Sequence, residues 1–299
     1  MYDTTDPRAS LAGAPKIAAA PLNDYGAASY VKFYERAPDA TTPHSRTWFG
    51  RGQNFIVAYS EVEPGALFDR VDQVDEYVVL SPERGAAVTI AVGGVTQAIG
   101  ASTISFVPPG ASSVRAATAG RLVRLFTTRS ADLAALCSNA AHYARPMPNV
   151  APFAPWPAPT DGFKLRTYSL DVPPVAGRFG RIWHGSTFMV NYFYADGPRD
   201  PGKMSPHHHD DFEQCSLAID GEFVHHLRWP WITDMTKWRA DEHELCKSPS
   251  IAVIPPPSVH TTQALAPAGN VLVDVFCPPR HDFAAKAGWV LNAGDYPIP

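Results

Sequence analysis

Short apolar runs, broken by proline and glycine, set the rhythm of this chain. Phe55–Tyr59 and Phe188–Tyr192 are typical, each bounded by polar residues or turn formers. Runs of this length with such punctuation read as strands of an all-β fold. Thirty prolines and 21 glycines in 299 residues serve as turn residues in that reading. Amphipathic helical patterning is scarce; the candidates are Ala131–Ala141 and a shorter stretch near Phe283–Ala287. Asp220-Gly221 predicts a hairpin turn, with Phe223–Trp229 as its return strand. Residues 1–44 read as an extended arm that packs on the body or on a second subunit. The Pro-rich stretch from Pro146 to Asp161 reads as a semi-rigid linker.

The chain repeats itself. Arg46, Trp48 and Gly50 recur as Arg181, Trp183 and Gly185. Pro64-Gly65 recurs as Pro201-Gly202, and the stretch Arg70–Glu76 lies over His207–Glu213. Val107–Ser113 lies over Ile254–His260, and Phe126–Asp132 over Phe276–Asp282. The order is the same in both halves, so the chain is read as two domains, 45–145 and 162–299.

The chemistry concentrates in the second copy. Alternate residues of a strand face the same way. His207 and His209 then point together with His208 opposite, Glu213 shares their parity, and His260 arrives from a neighbouring strand. Three imidazoles and one carboxylate suit a divalent transition metal and leave coordination positions open for catalysis. Iron, manganese, nickel, cobalt, zinc and copper all accept such donors. The first copy carries Arg70, Asp72, Glu76 and Ser113 at these places. Arginine keeps its proton and cannot ligate. The first half therefore reads as a metal-free structural or regulatory copy, or as one where Asp72 and Glu76 take a hard cation.

The order His-x-His, three residues, Glu, then a distant Pro-x-x-x-x-His resembles the two motifs of the cupin superfamily. The resemblance implies an all-β fold of two tandem cupin (jelly-roll) barrels with a few short helices, the first degenerate. Carried over residue by residue, it implies His207, His209, Glu213 and His260 as metal ligands. It also implies a set of activities that includes dioxygenases, oxalate-type decarboxylases, isomerases and lyases, along with non-catalytic small-molecule binders. Iron and dioxygen chemistry come first, because the ligand set leaves room for both substrate and dioxygen.

Net charge is −4 with no basic run, which excludes phosphate-driven nucleic-acid binding. No apolar stretch is long enough for a membrane span, and no secretion-signal layout opens the chain. Cys137, Cys215, Cys246 and Cys277 show no paired spacing, which fits a reduced cytoplasmic setting. Cys215 either lines the barrel interior or is a small core residue. One of His225 and His226 is expected to face into the barrel as general base or substrate donor, with a buried core histidine as the competing account. Arg228, Lys237 and Arg239 flank an aromatic insertion from Trp229 to Trp238. It suits an acidic or aromatic small molecule, or a packing contact with the partner barrel or subunit. The expected partners are a small organic acid and a second copy of the chain in a homodimer.

Overall fold

The computed structural model describes residues 7–8, 23–83 and 85–299. Much of the expected N-terminal arm, residues 1–6 and 9–22, lies outside the described residues. Twenty strands, among the described residues, form four antiparallel sheets. The helices are single turns, Ala131–Ala134 and His281–Ala284, with a 3-10 turn at Ala140–Tyr143. The long Ala131–Ala141 helix expected from sequence is thus two short pieces.

Each half closes a barrel from one large and one small sheet. In the second half the large sheet is ordered Ser29–Lys32, Ser250–Ile254, Gln214–Asp220, Val271–Phe276, Met189–Tyr192, Arg181–His184. Its small sheet is Glu242–Lys247, Glu222–Arg228, Val259–Ala264. In the first half, Gly120–Thr127 lies between Phe55–Val62 and Tyr77–Ser81 in the large sheet. The small sheet there runs Leu67–Gln73, Gly110–Ala116, Val88–Val92, Val95–Ile99.

The halves trade strands. Ser29–Lys32, from the N-terminal side, pairs with Ser250–Ile254 of the second barrel. Arg166–Ser169 pairs with Thr103–Val107 of the first barrel. Exchange of this kind covers sheet edges that would otherwise stay open.

The inner strands of the large sheets, such as Phe55–Val62, Tyr77–Ser81, Met189–Tyr192 and Ser250–Ile254, are buried on both faces, which explains their nearly continuous apolar runs. In Phe55–Val62, Val57 and Tyr59 join a core shared by the two barrels, while Ile56 and Ala58 fill the first barrel. Trp183, Val190, Leu217 and Val273 meet that shared core from the other side. Each fully buried aliphatic or aromatic side chain contributes about 1.5–3 kcal/mol. Cys215 also belongs to the shared core, so it is a packing residue rather than a cavity wall. All four cysteines are free and buried.

The expected hairpin after Asp220 is not formed. Gln214–Asp220 pairs with Ser250–Ile254 and Val271–Phe276, whereas Glu222–Arg228 pairs with Glu242–Lys247 and Val259–Ala264. Gly221, at φ +94°, turns the chain from one sheet into the other. A Cβ there would also meet the Asn270 side chain at 2.3 Å. The Pro-rich segment is pinned as well as stiff. Gln53 bonds to Met147 N and Val150 O, Asn54 bonds to Ala151 O, and Trp156 N donates to Ser186 O.

Candidate metal centre in the second barrel

The backbone of His207 pairs with that of His260, N to O at 3.0 and 2.7 Å, which sets the two imidazoles side by side. Their ring centroids are 4.4 Å apart, and His209 lies 5.1 Å from each. Ligating nitrogens of His207, His209 and His260 all fall within 4.8 Å of one another. Among the described residues this is the one such group of three or more His, Cys, Asp or Glu. His208 faces the other way, 3.3 Å from Asp210.

The rings are prepared to be donors. His207 Nδ1 lies 2.9 Å from Ser205 O and His260 Nδ1 lies 3.0 Å from Ser258 O. A carbonyl only accepts, so each Nδ1 carries the proton and each Nε2 keeps its lone pair. Burial, together with neighbouring positive charge, holds His207 and His209 well below the usual imidazole range and His260 down to about 4. Neutral, clustered imidazoles fit a divalent transition ion.

Glu213 is not in this cluster. Its Oε2 accepts from Gln53 N of the first barrel at 2.6 Å, and Oε1 lies buried beside the Tyr143 hydroxyl without a well-formed bond. Burial pushes the carboxyl up to about 7. The strand begins only at Gln214, and its inward parity is that of Gln214 and Ser216, not Glu213 and Cys215. Gln214 Oε1 therefore sits where a carboxylate was expected, 2.9 Å from His209 Nε2 and 3.4 Å from His260 Nε2. The repeat held a signal of this: Glu76, in the half without the imidazole cluster, does the same job in reverse. Its Oε2 accepts from Ser186 N and Ser186 Oγ of the second barrel at 2.9 and 3.0 Å, and Oε1 accepts from the Tyr296 hydroxyl.

Inside the second barrel a polar row crosses the large sheet: Asn191, Asp274 and Ser216 stand in register. Asp274 accepts from Ser216 Oγ at 2.9 Å and Gln214 Nε2 at 3.2 Å, and burial raises it to about 6. A cavity of about 290 Å³ is lined by His207, His260, Gln214 and Asp274, and also by Arg8 and Arg199. Both guanidiniums bond Ser205 Oγ at 2.7 Å. Asp274, Arg8 and Arg199 join the site without a motif of their own in the sequence. The signal for Asp274 was a lone charge inside the apolar run Val271–Phe276.

Of the residues expected to shape the pocket, only His225 faces inward. It is fully buried, bonds Thr262 Oγ1 at 3.0 Å and leaves Nε2 unpartnered; burial pulls it down to about 3. It lies behind Thr262, which lines the cavity. Alternation turns His226 and Arg228 outward, toward His243 and Asp241. The aromatic insertion packs on the segment near residue 25: Trp229 stacks on Tyr25 at 5.6 Å, and Arg239 lies over both rings.

No family model matches this chain, and no curated protein sequence does. Solved structures do. AerE from Microcystis aeruginosa superposes with a TM-score of 0.54 at 11% identity, covering 85% of this chain and 99% of that one. Lactobacillus farciminis oxalate decarboxylase, in a formate complex, gives 0.56 at 13%, covering 88% of each. A tryptophan-to-phenylalanine variant of the Bacillus subtilis oxalate decarboxylase gives 0.56 at 14%, covering 86% and 78%. The fold is a tandem cupin. At these identities the likeness concerns the fold, and the two cupin barrels agree with what the paired motifs implied. Among the described residues, no helix is long and apolar enough to cross a membrane.

Proposed function

We propose that the second cupin barrel is the active site of a metal-dependent enzyme acting on a small organic acid. The observation that carries this reading is a cluster of three neutral imidazoles, two of which, His207 and His260, line a cavity that Arg8 and Arg199 also line. His207, His209 and His260 would hold the ion, with the Gln214 amide oxygen beside them. When bound, the ion supplies Lewis-acid or redox chemistry at an open coordination position. Arg8 and Arg199 hold a substrate carboxylate by charge-assisted hydrogen bonds and orient it toward the imidazoles. Apolar walls such as Phe193 and Leu272 exclude water.

The ligand set alone puts dioxygen chemistry first. The site gives a specific reason to place proton-handling chemistry, such as decarboxylation or isomerisation, ahead of it. Asp274 is a buried carboxyl group on the cavity wall, steadied by Ser216 and Gln214, and so placed to hold a proton for the reacting carbon. Oxalate decarboxylases share the fold, which agrees with an acid as substrate. His225, behind Thr262, positions that side chain, and His226 and Arg228 take no part in this scheme.

The test is metal analysis of the purified protein. It is followed by incubation with mono- and dicarboxylic acids while carbon dioxide release and oxygen uptake are recorded. Release without uptake supports the scheme; uptake coupled to product returns the reaction to oxygenation. Tight acid binding without turnover across the panel would make the barrel a binding module.

A further inference from the structure

The interior of the first barrel contains a charge that nothing in the described residues balances. Leu122, Arg124 and Phe126 of Gly120–Thr127 alternate inward. Arg124 is only 6% exposed. Among the described residues it has no carboxylate partner. Its hydrogen bond is a long one, Nη2 to Ser60 Oγ at 3.4 Å, and its Nε is buried without any partner. One flat face lies on the Phe68 ring at 3.7 Å. The groups that face it from neighbouring strands do not neutralise it. Arg70 is a second cation, already committed to Asp132 and Gln73. The Tyr77 hydroxyl is bonded to Ser112. Burial pulls Arg124 down to about 10, which still leaves it charged at neutral pH.

A buried ion is held only when it is paired. We infer that the first barrel binds a small planar carboxylate, of formate or acetate size, on the edge of Arg124 that carries Nε and Nη2. That edge presents two parallel N–H donors, the fork that matches two carboxylate oxygens. Ser60 Oγ, bonded to Thr47 Oγ1 at 2.8 Å, stands at the end of the edge with a rotatable hydroxyl. Phe68, half-buried on Leu67–Gln73, covers the face. The site owes nothing to the histidine cluster, so it stands or falls apart from the proposed reaction.

The experiment uses the full chain, treated with chelator and dialysed into chloride buffer. Formate or acetate then replaces chloride at constant ionic strength while the thermal midpoint is followed. The midpoint rises by roughly 4 °C at about 100 times Kd. Arg124→Met loses the part of the rise that Arg124 supplies, keeping at most what Arg8 and Arg199 of the second barrel's cavity contribute, and melts no lower than the wild type does in chloride, because it removes the unpaired charge. An indifferent wild type, or an equal rise in Arg124→Met, overturns the inference. Should that variant fail to fold, wild-type crystals grown in formate decide: planar density on Arg124 Nε upholds it, and bare protein there overturns it.

Discussion

At matching places in the repeat, on the strands Gly120–Thr127 and Val271–Phe276, the first barrel turns Arg124 inward and the second turns Asp274 inward. The neighbours differ to suit. Ala58 and Val79 flank the arginine in register, where Asn191 and Ser216 flank the aspartate. Tyr77 fills the place of Gln214, and Ser113 that of His260. One backbone plan thus encloses two chemistries, a cationic interior without imidazoles and an imidazole cluster beside a buried acid. What both halves kept is instead structural, the reciprocal carboxylates Glu76 and Glu213, each bonded to the backbone of the other barrel. A residue retained in both copies serves the fold, and residues that diverge serve the separate interiors.

The largest effect expected is on metal content. His209→Ala or His260→Ala should abolish bound metal, read by elemental analysis, while Ser113→Ala leaves it unchanged. Metal loss in Ser113→Ala would erase the contrast between the barrels. Next comes Asp274→Asn, expected to lower turnover by about 10²-fold with metal retained. Unaltered kcat would remove Asp274 from the reaction.

Glu213 provides a finer cut. Glu213→Ala should destabilise by about 1–3 kcal/mol, because Gln53 N loses its acceptor in a buried place. Glu213→Gln should keep metal within about twofold of wild type, since the side chain faces away from the imidazoles. A stripped Glu213→Gln protein would make it a ligand after all.

The smallest effect is on pH dependence. Burial raises Glu76 above the ordinary carboxylate range despite its bonds from Ser186 and Tyr296. A carboxyl raised on folding contributes stability that is complete at acid pH. That contribution is lost as pH climbs through the folded value. Glu76→Gln should therefore flatten the fall in thermal midpoint from mildly acid to alkaline pH. A profile parallel to wild type would show that Glu76 ionises freely.

The two-barrel architecture was legible because it rests on periodicity and repetition, which the chain displays openly. The histidine cluster was legible for the same reason, since His207 and His209 are separated by a single residue and His260 closes the second motif. The fourth position lies one residue away from where strand alternation alone puts it. The chain is not yet a strand over Asp210–Glu213, so parity restarts at Gln214. The hairpin after Asp220 failed because Gly221 marks a turn without saying which sheet the next strand joins. Arg8 and Arg199 were beyond reach, because no local pattern tells that residues 8 and 199 meet at Ser205.

The traded strands carry a consequence for cutting the chain. A break within 146–161 leaves each fragment holding a β-segment that belongs in the other's sheet, Ser29–Lys32 on one side and Arg166–Ser169 on the other. Neither piece could complete its own barrel, so the two would have to reassemble in trans to fold. A protease nick there would leave the molecule clasped together, much as interlocked hands stay joined when one sleeve is cut.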